Sequence, residues 1–187
     1  MDGLLVVDKP SGPTSHDVVA RVRRVLGERR VGHTGTLDPA ASGVLPLVLG
    51  RATRLAQFLS QSDKIYEATI TLGVSTDTCD ALGQHVGAPY EGPFPSVDAV
   101  DRALDAFRGS FFQQPPAFSA KKVDGRRSYK NARQARKPLS LPAPPALPAP
   151  VTVTAHSIEV LSVDERSVKL RVHCSAGFYV RSLAHDL

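Results

Sequence analysis

Cysteine is scarce in this chain: the 187 residues include two, Cys79 and Cys174, far apart and with no CxxC or HxxxH spacing beside them. Neither a disulfide framework nor a structural zinc site is encoded, which points to a cytosolic protein without a metal. Tryptophan is absent and aromatics make up 6% of the chain, so the core is expected to be aliphatic. No window approaches the ~18 apolar residues of a membrane span, and the segment between Gly3 and Asp8 is too short for a secretory h-region. Several catalytic signatures are also missing: no GxSxG elbow, no GxxxxGKS or GxxxxGKT phosphate loop, and no paired metal-binding histidines. If the protein is an enzyme, a lone carboxylate must act without a metal or bound organic cofactor.

What is present supports a folded chain. The hydrophobic fraction is 42%, enough for a real core, and the length fits one domain. The net charge of +5 is unevenly spread: residues 121–137 hold eight Lys/Arg and one Asp, and residues 21–30 hold five Arg and one Glu. The body is therefore acidic and carries two basic patches. Clustered cations beside an aromatic, here Tyr129, suit a phosphate backbone, because each neutralised phosphate releases condensed counterions. A solvated surface run is the plainer explanation of the same residues.

Local pattern predicts the elements. GLLVV at 3–7 reads as a buried strand, stopped by the prolines and glycine of DKPSGP at 8–13. Thr14 or Ser15 can cap a helix over 15–26, with Val18, Val19, Val22, Val25 and Leu26 at helical spacing and Gly27 at its C-terminal end. Residues 43–49 read as a strand with Pro46 at an edge or bulge, followed by a helix near 53–60 with Leu55, Phe58 and Leu59 inward. In KIYEATITL, Tyr66, Ala68, Ile70 and Leu72 share the more apolar face, and 75–83 follows as loop. Ser96 can cap a helix striped by Val97, Val100, Leu104 and Phe107. The six prolines of 137–150 predict an extended surface connection. Strands at 151–160 and 167–174 come next, then the opening of a helix in RSLAHDL. Without a βαβ rhythm, these elements predict an α+β fold, a mixed but largely antiparallel sheet with flanking helices.

The densest turn chemistry is VGHTGTLDPAASG at 31–43, which carries His33 and Asp38. Pro39 restricts Asp38 to extended backbone angles, and the glycines let backbone approach a ligand closely. Asp before Pro is equally a helix N-cap with Pro at the first helical position.

Four blocks in order, LLVVDKPSGPTSHDVV, GHTGTLDPAASGVLPLVLGRATRLAQ, KIYEATITLGVSTDTCDALG and CSAGFYVRSLAHDL, make the chain resemble the bacterial tRNA pseudouridine synthases of the TruB type. The resemblance implies the pseudouridine synthase fold over residues 1–187 as a catalytic domain, incomplete at its C-terminus and without the family's C-terminal RNA-binding domain. It implies cofactor-independent isomerisation of uridine 55 in the tRNA T-loop, by a cytoplasmic monomer whose partner is the T-stem-loop. By that similarity Asp38 is the catalytic carboxylate, with attack at C6 of the base and at C1′ of the ribose both open. Arg181 matches the active-site arginine and Tyr66 the tyrosine that stacks on the target base. His33 and Tyr179 match residues of the pocket that receives the extruded nucleotide. Lys64 is assigned to substrate phosphate, and Lys122, Arg126 and Arg127 to the backbone grip. Lys9 and Pro10 match a motif that supports the pocket wall. The alternative is a basic RNA-binding module that keeps the fold without turnover.

Overall fold

The computed structural model describes residues 1–123, 125–135 and 147–187. The chain forms two compact units, Met1–Ser62 and Asp63–Leu187.

The first unit begins with strand β1 (Gly3–Lys9) and helix α1 (Ser15–Leu26), continues with strands β2 (Val31–His33) and β3 (Gly43–Leu49), and ends in a 3-10 turn (Gly50–Leu55) and a short helix α2 (Ala56–Leu59). The sheet order is β1-β3-β2, and both pairings are antiparallel. Strand β1 runs two residues further than GLLVV, because Asp8 and Lys9 still pair with Val44 and Gly43 before Pro10 stops the ladder. Helix α1 starts with a capping box: Thr14 Oγ1 accepts from the Asp17 amide at 3.1 Å, and the Asp17 carboxylate accepts from the Thr14 amide at 2.8 Å. It ends at Gly27, whose φ of 62° is the left-handed cap that a β-carbon would strain. Val18 and Val19 pack against Val31, Leu45, Leu47 and Leu49, and each such aliphatic side chain contributes roughly 1.5–3 kcal/mol on burial.

Several expectations fail in this unit. Strand β1 is not buried throughout: it alternates, with Leu4 and Val6 exposed. Pro46 lies in the central strand, not at an edge. Its carbonyl accepts from the Thr34 amide at 3.1 Å just past the end of β2 at His33, so the missing proline N–H removes only the reciprocal bond of that last rung. Leu55, Phe58 and Leu59 are exposed, not inward, because the segment is mostly 3-10 and offers no continuous helical stripe.

The second unit holds strands β4 (Lys64–Thr71), β5 (Ser75–Thr76) and β6 (His85–Val86), helix α3 (Val97–Leu104), strands β7 (Gly109–Gln113), β8 (Lys122–Val123) and β9 (Arg126–Arg127), and helix α4 (Ser128–Ala135). Strands β10 (Val151–Asp164) and β11 (Ser167–Cys174) and helix α5 (Val180–Asp186) complete it. Its main sheet has the order β4-β11-β10-β7, antiparallel throughout. Val168, Leu170, Val172 and Cys174 of β11 are buried on one face and pack with Ile70, Val153, Ile158, Phe178, Leu183 and the Val100 and Leu104 stripe of α3. Ser96 caps α3, its hydroxyl accepting from the Ala99 amide at 3.3 Å. Strand β10 is four residues longer than expected and carries register shifts between Ala155 and Ser157 and between Val160 and Ser162. Of the proline-rich connection at 137–150, residues 137–146 lie outside the described residues, as do Asp124, Arg136 and Lys137 of the basic run. The α+β class, with antiparallel sheets and flanking helices, is what the sequence predicts.

Candidate active site

In the first unit the Asp38 loop is tied to the turn that follows β1. Lys9 is fully buried, and its ammonium donates to the carbonyls of Pro10 at 2.9 Å and Ala41 at 2.6 Å, with a longer contact to Pro39 at 3.4 Å. The Gly12 amide donates to the Pro39 carbonyl at 2.8 Å. Ser15, at the first turn of α1, accepts from the Leu37 amide and donates to the Leu37 carbonyl, both at 3.0 Å. The carbonyls on both sides of Asp38 are thus held by groups from 9–15. No helix follows Pro39: the Ala41 amide donates to the Asp38 carbonyl at 3.0 Å and closes a turn, so the capping role of Asp38 is not the one used.

Burial pushes the Lys9 ammonium below its usual 10.5, and the negative charge of Asp38 acts in the opposite direction. A cation is therefore built in beneath the loop at a desolvation cost. Asp38 itself is half-buried, within reach of a ligand. His33, the last residue of β2, is half-buried and meets His16 of α1 edge to face, with ring centroids 5.2 Å apart. Pro10 ends β1 and hands its carbonyl to Lys9.

In the second unit Tyr66 lies on β4 opposite Val172, on the face that carries Ala68 and Ile70, and is half-buried. Lys64 shares that face, opposite Cys174, whose thiol burial pushes up to about 11. Tyr179 immediately precedes α5. Its amide donates to the Gln113 side chain at 2.8 Å and its carbonyl accepts from the same side chain at 3.0 Å. Gln113 is buried, so this reciprocal pair fixes the entry into α5. Arg181, in the first turn of α5, donates to the carbonyls of Thr78 at 3.0 Å and Phe118 at 2.9 Å. Ser182 donates to the Gln114 carbonyl at 2.6 Å. The start of α5 is therefore a latch on two loops, 75–83 and 114–120, and the same elements position Tyr179 and Arg181.

Lys122, Arg126 and Arg127 sit together on the β8–β9 hairpin, where Lys122 pairs with Arg127, and all three are exposed. The hairpin is docked through Ser128, whose amide donates to Lys121 at 2.7 Å and whose hydroxyl donates to Ala117 at 2.6 Å. Sequence reasoning missed Gln113 and Ser182 and read Ser15 only as a candidate helix cap. Each is a buried polar residue whose partner is distant in sequence, so no local pattern marks that contact.

Residues 23–180 match the family described as TruB family pseudouridylate synthase (N terminal domain). The chain belongs to the TruB family. The match covers the Asp38 loop and Tyr66 and ends one residue before Arg181. The TruB-family chain is 48% identical over its whole length to the tRNA pseudouridine synthase B of Solibacter usitatus, of which it covers 61%. It is 44% identical to the enzyme of that name from Aquifex aeolicus, again over its whole length and covering 62% of it. It therefore spans about three-fifths of the curated relatives it matches. Among solved structures it resembles a chain of a Cbf5-Nop10-Gar1 complex (34% identity, TM-score 0.68, covering 98% of this chain and 42% of that one). It also resembles a chain of an H/ACA RNP bound to a substrate RNA containing 2'-deoxyuridine (31% identity, TM-score 0.65, covering 98% of this chain and 41% of that one). The TruB-family fold is thereby that of the pseudouridine synthases. No helix among the described residues is long and apolar enough to cross a membrane.

Proposed function

We propose that this chain carries the catalytic centre of a tRNA pseudouridine synthase that isomerises uridine 55 of the T-loop, with Asp38 as nucleophile. The observation that carries the reading is the Asp38 loop itself: a half-buried carboxylate on a turn whose neighbouring carbonyls are fixed by Lys9, Gly12 and Ser15. Covalent catalysis by a carboxylate needs a fixed group, and the hydrogen bonds from Lys9, Gly12 and Ser15 fix the loop that carries this one.

The reaction is an isomerisation. The N1–C1′ glycosidic bond breaks, the uracil turns, a C5–C1′ bond forms, the C5 hydrogen leaves as a proton and N1 gains one. No oxidant, reductant or cofactor enters the balance. A base in a folded loop cannot be reached in place, so the nucleotide must be extruded. On the second unit Tyr66 stacks on the extruded base and Tyr179 is a further aromatic for it, and on the first unit His33 contacts the flipped-out RNA. Arg181, on the second unit, is the cation that the family resemblance assigns to the reaction. Lys64 faces substrate phosphate, and the Lys122, Arg126 and Arg127 hairpin grips the backbone of the T-stem, where exposed guanidinium groups suit phosphate oxygens. Lys9 and Pro10 support the loop from behind. The protein works as a monomer in the cytoplasm, where its tRNA is made.

The test is tritium release from C5-labelled uridine in a T-stem-loop RNA, run with this chain and with Asp38→Asn. Release by the parent, none by the variant, and equal RNA retention by both is the expected result. Wild-type release by Asp38→Asn would remove the nucleophile, and retention of RNA with no release by either would favour a binding module.

A further inference from the structure

The exposed face of the main sheet in the second unit carries a cluster that the proposed reaction does not use. Asp63, directly before β4, His156 of β10 and His173 of β11 converge there, with one ligand atom from each lying within 4.8 Å of the others. The His156 Nε2 is 3.1 Å and the His173 Nε2 3.8 Å from the same oxygen, Asp63 Oδ2. The two imidazole rings are tilted against each other, with centroids 4.7 Å apart.

Strand geometry alone would not produce this convergence. Along β10, Val153, Ala155 and Ile158 are buried, while His156 and Ser157 are consecutive exposed residues. The register skips between Ala155 and Ser157, which pair with Cys174 and His173, so His156 is the extra residue of a β-bulge. Bulges re-aim a side chain, and this one turns an imidazole toward its neighbour on β11 and the carboxylate at the head of β4. Further along the same face, Glu67 bridges Lys169 and Arg171, and Arg171 reaches Glu159, so the strand cations there are already paired with carboxylates.

We propose that Asp63, His156 and His173 form a binding site for a borderline divalent cation, zinc being the first choice. Two imidazoles and one carboxylate are the donor set of three-ligand zinc sites, which leave further positions to water. With metal–ligand bonds of about 2.0–2.2 Å and a tetrahedral angle, an imidazole nitrogen and a carboxylate oxygen stand about 3.4 Å apart. The two separations seen here bracket that value, so a rotamer adjustment at His173 completes the site. Two nitrogen donors disfavour magnesium and calcium, which take oxygen, and favour zinc, nickel and copper. The cation would tie the head of β4 to β10 and β11, and its binding would add to the stability of the second unit by mass action.

The experiment uses the full chain, free of any affinity tag and stripped with chelator, titrated with zinc by calorimetry and separately with cobalt, whose visible d–d absorption is followed. One equivalent should bind, and the thermal midpoint should rise with zinc concentration. His156→Ala and His173→Ala should each weaken binding tenfold or more, at least the loss that removing an outer-shell partner causes. His85→Ala, on a separate exposed strand, should leave it unchanged. Asp63→Asn, nearly the same size, serves as the second variant, with far-UV circular dichroism confirming the fold of each. No saturable binding by the parent, or one equivalent retained at unchanged affinity by Asp63→Asn and by the double histidine variant, would overturn the site and leave a plain histidine–carboxylate ion pair.

Discussion

Replacing Lys9 with Met keeps the length and the apolar stem while removing the ammonium that holds the Asp38 loop. Two of its hydrogen bonds are short, 2.6 Å to Ala41 and 2.9 Å to Pro10, and the third, at 3.4 Å to Pro39, is too long to count for much. Hydrogen bonds from a charged donor contribute about 1.5–3 kcal/mol each, so two give roughly 3–6 kcal/mol. Against this stands the cost of burying the ammonium, which the substitution returns; it is visible in the lowering of the Lys9 proton affinity by desolvation. The net destabilisation should be about 2–4 kcal/mol, read in urea as a midpoint shift of about 1–2 M. Turnover should fall further than stability predicts, on the order of 100-fold at temperatures where the variant is still folded, because small displacements of a reacting group are costly. The pH dependence has a definite sign. Native Lys9 gives up its proton below 10.5 while the unfolded chain keeps it, so the unfolded state binds more protons and wild-type stability gains on the variant as pH rises toward 10.5. A loss under about 0.5 kcal/mol with wild-type turnover would refute the role given to Lys9.

Other outcomes follow from the same geometry. Gln113→Leu removes both bonds to the Tyr179 backbone and should cost about 2–3 kcal/mol in chemical denaturation; a neutral effect would show that the entry into α5 is held by other means. Arg126→Ala with Arg127→Ala should weaken T-stem-loop binding and lower the slope of log affinity against log salt by about 2, measured by fluorescence anisotropy; an unchanged slope would take the hairpin out of the interface. Cys174, its thiol pushed by burial from 9.0 up to about 11, should react with a disulfide reagent about 10-fold more slowly than a free thiol at neutral pH, even before its lack of access to the reagent is counted, and promptly after unfolding. Fast native labelling at Cys174 would contradict its placement in the core.

Legibility in the sequence followed the range of the forces involved. The span of helix α1 was readable, since its apolar stripe and terminating glycine are local, although the sequence left the cap between Thr14 and Ser15 and the stripe included Val25 and Leu26, which are exposed; β11 was readable because its alternation is unbroken. Strand β2 was hidden, being three residues inside a glycine-rich loop, and its shortness is also what lets Pro46 occupy a central strand. Periodicity placed Leu55, Phe58 and Leu59 on one side of a helix, but it carries no information on whether anything covers that side. Strand β7 went unread because Phe112 is exposed on an edge strand and breaks the expected alternation. At the site, motif resemblance named the candidate residues and Lys9 behind the Asp38 loop, while the buried polar groups Gln113 and Ser182 that hold the start of α5 escaped notice. The bulge at His156 shows why: its meaning lies in the register of β10 on β11, and register belongs to two strands at once.

Arg181 grips the loops it joins by their main-chain carbonyls, at Thr78 and Phe118. A carbonyl is the same whatever side chain its residue bears. The latch therefore reads the path of the chain and is blind to its lettering: positions 78 and 118 are free to drift through many residue types while the grip persists. The constraint falls instead on loop length and on the arginine, whose planar fork can address two divergent carbonyls as a single ammonium cannot. Insertions in 75–83 or 114–120 should thus be selected against more sharply than substitutions.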